Sequence, residues 1–427
     1  MSSTKTPGSA TEPTETPASG VVAADLLDPR LIQARGPAGY VGALMARLKS
    51  GDIGSLPIVI GLVVIVIVFQ SLNDTFLNAF NLVNLCLQIA SLTIIGLGVT
   101  LVLLLGEIDL SIGSVSGVAA SLLAVANANH GINPFLSVIL AVVAGSVIGL
   151  IHGLVFTRIG VPSFVITLAG LLAWEGVQQQ ILGKDGTINL PPAGGLLDIG
   201  QQSFLPTWST YLVGFALTVL YLVTALLGGA RRRKAGLTPQ PLWVIGIVTA
   251  FLVVITVALA AKLGIDRGLP YIFLFAVVLV LAFDWIIRRT RYGRAVLAVG
   301  GNIEAARRAG IKVDAIRTSV FVLCSTLAAI GGVIAAMRLG FANQQSGSGD
   351  TLVNSIAAAV IGGTSLFGGR TRRYAPLLGA VVIGAIANGL ALLSLTSSVT
   401  YIITGAVLLA AVVIDAISQR GRKNSGR

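Results

Sequence analysis

The chain has 427 residues, 55% of them hydrophobic and only 11% charged, with a mean hydropathy of +0.90 and a formal charge of +12. A soluble domain carries roughly 25% charged residues, so a water-soluble enzyme or binding module of this length is excluded. Two cysteines inside apolar runs exclude a disulfide framework or a cysteine metal site.

From the N-terminus, "SSTKTPGSATEPTETPASG" is rich in Ser, Thr and Pro and is expected to be disordered. In "YVGALMARLKS", Tyr40, Leu44 and Leu48 recur every four residues beside Arg47 and Lys49. That pattern fits a short helix lying on an anionic membrane face, or a plain linker. Apolar runs then follow one another, many near the twenty residues that span a hydrocarbon core of about 30 Å. Twelve spans are predicted, at 56–72, 84–105, 112–128, 134–157, 163–182, 208–228, 241–261, 269–287, 315–337, 352–367, 375–393 and 398–418. The fold class is therefore all-α, a polytopic helical membrane protein. It has a cytoplasmic tail over 1–55, a membrane domain over 56–418 and a basic tail over 419–427.

Between spans two and three, "GEIDLSIGSVSG" holds Glu107 and Asp109. A charge at the bilayer centre costs about 2.5–3.5 kcal/mol, whereas an interfacial turn removes most of that. Carboxylates just before a helix are favoured by its dipole, and Ser111 is placed to cap it. The alternatives are a gate or an ion pair with a cytoplasmic arginine. In span four, Gly145, Gly149 and Gly153 repeat every four residues, as Gly113 and Gly117 do in span three. Such spacing suits close helix packing or a surface that slides during gating. His152, in the same run, reads as a packed residue, and His130 as a loop residue. Span five offers Trp174, Glu175 and Gln178, and Asn354 and Asn388 are polar groups in spans ten and eleven. Intramembrane polar residues face a cavity or a partner helix. These five are candidates for a substrate path, Glu175 with a structural hydrogen bond as its alternative.

The loop over 288–317 is longer than a turn requires. Ala305, Ala306 and Ala309 favour helix, Gly310 can stop it, and Arg307 and Arg308 add charge. A docking helix that receives force from a soluble motor is one reading; a basic topology anchor is the other. Further on, "GGTSLFGG" (362–369) echoes "GEIDLSIG" (106–113) in its first Gly, fifth Leu and last Gly, a pattern suggesting internal duplication with substrate between two like halves.

With the N-terminus inside, twelve spans put 25 of the 29 Lys and Arg residues on the inner side. Lys184, Lys262, Arg267 and Arg338 remain outside. The positive charge thus reflects orientation, with both termini cytoplasmic; no nucleic-acid partner is needed. No phosphate-binding Gly-Lys-Ser/Thr stretch is present, since Asp185 follows the sole Gly-Lys pair. No nucleophile–base pair is evident. The chain is expected to bind no metal or other cofactor itself, and to be a translocation subunit and not an enzyme.

"GRAVLAVGGNIEAARRAGI" resembles the cytoplasmic coupling loop of permeases of ATP-binding-cassette (ABC) importers. "GEIDLSIGSVSG" and "NSIAAAVIGGTSLFGGR" resemble two signature stretches of the monosaccharide branch, the ribose, xylose and arabinose permeases, and most of all the xylose type. The resemblance runs from about residue 56 to 418. It implies that spans 208–228 and 241–261 are inserted into a ten-span core. It implies that Gly301, Asn302, Glu304, Ala305, Ala306, Arg307 and Gly310 meet a separate ATPase subunit, which carries the ATP and Mg. It further implies a homodimer of permeases, an extracytoplasmic sugar-binding protein and a monosaccharide substrate, in a bacterial cytoplasmic membrane. A branched-chain amino-acid permease of the same superfamily is the alternative; an ion-coupled secondary transporter and a sugar-processing membrane enzyme stand further off.

Overall fold

A computed structural model describes residues 56–192, 195–234, 239–396, 398–407, 409–410 and 413. The stretch read as an amphipathic helix over 40–50 and the basic tail over 419–427 lie outside these residues. Each predicted span coincides with a helix. They are α1 (Leu56–Leu72), α2 (Ala79–Leu104), α3 (Ile112–Ala124), α4 (Pro134–Leu154), α5 (Ser163–Leu182), α6 (Thr207–Lys234) and α7 (Leu242–Ile265). Then come α8 (Tyr271–Arg289), α9 (Arg291–Gly301), α10 (Ile303–Arg308), α11 (Val313–Leu339), α12 (Gly349–Ile361), α13 (Ala375–Leu392) and α14 (Ser398–Val407). Single π-turns extend α3 to Asn129 and α4 to Ile159. Eight of these helices are long and apolar enough to cross a bilayer; α1, α12 and α14 are shorter apolar helices. The chain is a polytopic helical membrane protein.

α2 is the axis of the bundle, with 20 of its 26 residues buried. α11, α12, α13 and α8 pack around it. On the periphery, α4, α6 and α7 present Val143, Val147, Val219, Ile247 and Val254 outward, each about half exposed or more. Apolar faces that extensive are not stable in water, and hydrocarbon is the solvent that suits them. Helices serve there because every backbone N–H and C=O is satisfied within the segment. α6 and α7 pack chiefly on each other, with Thr218 and Thr256 hydroxyls 3.4 Å apart. The α4–α11 seam is built from glycines. A methyl group on Gly145, Gly149 or Gly153 would meet Ala329, Phe321 or Thr318 respectively. Gly113 and Gly117 differ: they admit a loop, not a helix, and lie against the backbone of Gly347 and Ser346.

The chain leaves helical form at the turn of Gly106 (φ +78°). Residues 107–111 are not helical, and α3 begins at Ile112, as the predicted third span does. Asp109, within that stretch, is only 3% exposed. Likewise α12 stops at Ile361, because Gly363 takes φ +102°, and residues 362–367 form a turn in place of the end of a span. α12 is thus 13 residues long, about 20 Å at 1.5 Å per residue. The loop just before it, at Gly347, abuts the first turn of α3 at Gly113.

Loops collect at two ends. At one, two antiparallel ribbons join distant loops: β1 (Thr187–Asn189) with β4 (Phe341–Asn343), and β2 (Phe204–Leu205) with β3 (Leu269–Pro270). At the other, the turn at Gly106 lies against Phe367 and Gly368, and Gly300 lies against the carbonyl of Leu104.

Candidate functional site

The two acids of "GEIDLSIG" have separate partners. Glu107 accepts a hydrogen bond from the Ser163 hydroxyl at 2.6 Å, at the start of α5. It also pairs with Arg317 of α11 at 3.3 Å, each side chain 19% exposed. The Arg317 guanidinium lies 4.8 Å over the Phe156 ring. One carboxylate thus ties α4, α5 and α11 to the turn. Asp109 accepts from the backbone N–H and the hydroxyl of Ser111, at 2.9 and 2.6 Å. Ser111 holds the N-cap position of α3, but its hydroxyl makes no cap hydrogen bond. The hydroxyl is turned toward the Asp109 carboxylate, to which it donates a short charge-assisted hydrogen bond.

Ser111 also lies 3.4 Å from His152 Nδ1, and the Trp174 indole N–H donates to His152 Nε2 at 3.0 Å. That second bond assigns the proton to Nδ1. A buried line of polar groups, Trp174–His152–Ser111–Asp109, results. The sequence reading gave His152 no polar role; four residues separate it from Ile148 in a run without other ionisable groups, which was the available signal.

The 291–312 segment is two short helices. Asn302 ends α9 and caps α10, its side chain accepting from the Ala305 N–H at 2.9 Å. Gly310, at φ +79°, closes α10, with its N–H donating to Arg307 and that of Ile311 to Ala306. Ala306 faces inward with Val296 and Val299, and all three join the core cluster that includes Leu104, Val115 and Phe321. Gly301, Asn302, Glu304, Ala305, Arg307 and Gly310 face outward. The exposed Glu304–Arg307 pair, at 2.9 Å, orders that face without adding much stability. Tyr292 of α9 bonds the Ser319 hydroxyl at 2.9 Å. Burial pushes its phenol up from the ordinary value, more than the Ser319 bond lowers it, so the contact stays neutral at physiological pH. The segment is rooted in the core, not appended to it.

The root is a glycine seam. A side chain on Gly300 would collide with the Leu104 carbonyl. The Gly369 N–H donates to that same carbonyl at 2.9 Å. The 291–312 segment, the end of α2 and the 362–369 turn therefore share one contact point. The two echoing stretches meet here, at Gly106 and Gly368. Phe367 beside them is 73% exposed.

Above this, a cavity of about 210 Å³ lies among α2, α3, α11, α12 and α13. Asn354 lines it, as do Gln88, Ser91, Ser116, Arg338 and Asp350. The other substrate-path candidates do not. Gln178 is buried and donates to the carbonyls of Asn343 and Ser346, both at 2.9 Å, pinning the loop that closes the cavity. Asn388 makes a reciprocal amide pair with Asn81, at 2.8 and 2.9 Å. Trp174 is engaged with His152. Glu175 is half-buried on α5. Gln88 and Arg338 were not singled out in the sequence: the first is a lone amide in an apolar run, the second sits at the end of one.

A bundle with an internal polar cavity, two interrupted helices and an exposed helical pair rooted in its core is the architecture of a membrane transport subunit. The chain belongs to the family of permease components of branched-chain amino acid transport systems, whose family model matches residues 81–412. It is 33% identical over 377 residues to the xylose transport system permease protein of Escherichia coli K12, covering 87% of this chain and 94% of that one. The xylose transport system permease protein of Haemophilus influenzae is 30% identical over 377 residues, covering 88% and 100%. The ribose import permease protein of Escherichia coli K12 is 30% identical over 360 residues, covering 83% and 92%. No solved structure matches the chain.

Proposed function

We propose that the chain is the membrane-spanning permease subunit of an ABC importer for monosaccharides, xylose or a related sugar, in a bacterial inner membrane. The likeness to xylose and ribose permeases over more than four-fifths of the chain carries this reading. The family's description names branched-chain amino acids; the similar permeases above carry sugar names, and they favour the sugar. A separate ATPase docks on the outward face of α9 and α10, and an extracytoplasmic binding protein delivers sugar at the ribbon end. Two copies of the permease form the membrane unit. Both termini lie in the cytoplasm, and α6–α7 is a peripheral insertion.

Motion of the docked segment reaches the bundle through Gly300, because α9 cannot shift without moving the Leu104 end of α2 and the 362–369 turn. The Glu107–Arg317 pair, between the turn and α11, is the contact such a motion rearranges. Transport of labelled xylose, ribose and leucine into proteoliposomes holding the whole assembly tests the reading. ATP-dependent uptake of a pentose is the expected result. Uptake of leucine alone, or uptake without ATP, contradicts it.

A further inference from the structure

The cavity among α2, α11 and α12 is lined by polar side chains from separate elements that find no protein partner. Gln88 on α2, Arg338 on α11, and Thr351 and Asn354 on α12 make no side-chain hydrogen bond among the described residues, and neither does Gln345 in the loop between β4 and α12. Other polar side chains on the same wall are satisfied: Ser91 donates to the Gly331 carbonyl at 2.8 Å and Ser116 to that of Gly113 at 2.6 Å. Gln88, Arg338, Thr351 and Asn354 are half-buried and Gln345 is exposed, and polar side chains that converge from separate elements on one space are placed for something that enters it.

The chemistry of the opening specifies the ligand class. Amide side chains both donate and accept, as sugar hydroxyls do. The cavity carries one positive and one negative side chain, Arg338 and Asp350, which do not pair with each other. Asp350 is engaged by the Tyr401 hydroxyl at 3.1 Å. The lining thus has no net formal charge and several open hydrogen-bonding groups, which suits a neutral polyol. An aliphatic amino acid would use its two charged ends and leave the amides of Gln88, Gln345 and Asn354 unpaired. The cavity volume, about 210 Å³, leaves room for a small polar ligand.

We propose that this cavity, within a single permease chain, is a monosaccharide-binding site in which Gln88, Arg338, Gln345, Thr351 and Asn354 hydrogen-bond the ring hydroxyls. The proposal rests on the sugar-importer reading. The loop from Asn343 to Ser348, held by Gln178, is the lid on its outer side, and Gly347 brings that lid against α3.

The test uses the whole reconstituted importer, with ATP-driven uptake of a sugar and its monodeoxy analogues. The wild-type assembly establishes whether any sugar is carried; if none is, the function itself fails and the site is overturned with it. Where sugar is carried, each analogue lacking a hydroxyl bound in the cavity is expected to fall about tenfold in kcat/KM, one hydrogen bond's worth. In Asn354→Leu and Gln88→Leu assemblies the parent sugar is expected to fall by a similar factor. At least one analogue should then lose its handicap, a selective effect that a merely structural defect does not produce. Gln345→Ala, on an exposed loop residue, repeats the test where folding is not at stake. If all three variants rank the analogues as wild type does, the cavity is not the binding site, although the importer reading stands.

Discussion

At the scale of the residue, the molecule separates two acids that the sequence presents as a pair. Glu107 reaches Arg317 and Ser163 with its side chain largely covered, while Asp109 is enclosed with Ser111 and Cys324 Sγ at 3.8 Å. Opposite charges that share so little water gain more from pairing than a surface pair does. In a double-mutant cycle of Glu107→Gln and Arg317→Met, thermal unfolding in detergent should give a coupling of about 1 kcal/mol. Additive single effects would show the pair to be incidental. Trp174→Phe keeps an aromatic ring but removes the indole N–H that His152 Nε2 accepts from, together with part of the ring volume, and is expected to cost at least about 1–2 kcal/mol. An unfolding midpoint equal to wild type would mean that the indole bond contributes nothing.

At the scale of the element, the helices were largely legible and their partners were not. The bounds of α1 and α5 coincide with the predicted spans, because apolar runs limited by polar or Gly and Pro residues leave little choice. The start of α3 at Ile112 was legible as well. What the sequence did not show is the partner of its first turn, the loop backbone at Gly347 that lies against Gly113. The small-residue spacing in α4 was readable, and the partner was not: it is α11, through Phe321, Ser325 and Ala329. Gly149→Leu should therefore separate α4 from α11 and lower stability by about 1–3 kcal/mol. Gly176→Ala, with nothing within 4 Å of its new methyl, should be neutral or stabilising by up to about 1 kcal/mol. Equal destabilisation by the two would refute the seam. In the coupling segment, Gly300→Ala is expected to lower the unfolding midpoint and Gly301→Ala to leave it in place, since only Gly300 is enclosed.

At the scale of the whole molecule, charge distribution told more than any motif. The apolar runs gave twelve spans and the basic residues their orientation, and three of the loops assigned to one side meet, at Gly106, Gly300 and Gly368. Of the polar residues read as candidates for a path, Asn354 lines the cavity, whereas Gln178 and Asn388 spend their amides on holding the scaffold. Polarity within an apolar run marks a residue with a task, and the task is set by what folding brings alongside it. The outward face of α9 and α10 is continuous with a core that runs to the cavity walls through α2 and α11. That continuity is the physical basis for driving the bundle from outside it.

The account centres on that face as the handle of a separate cytoplasmic motor. Its most direct test is labelling of an Arg307→Cys variant with a membrane-impermeant maleimide, in right-side-out and inverted vesicles, with and without the ATPase subunit. Labelling only in inverted vesicles, suppressed when the ATPase is bound, is the result expected. Labelling from the outside, or labelling that the ATPase does not affect, would contradict the account.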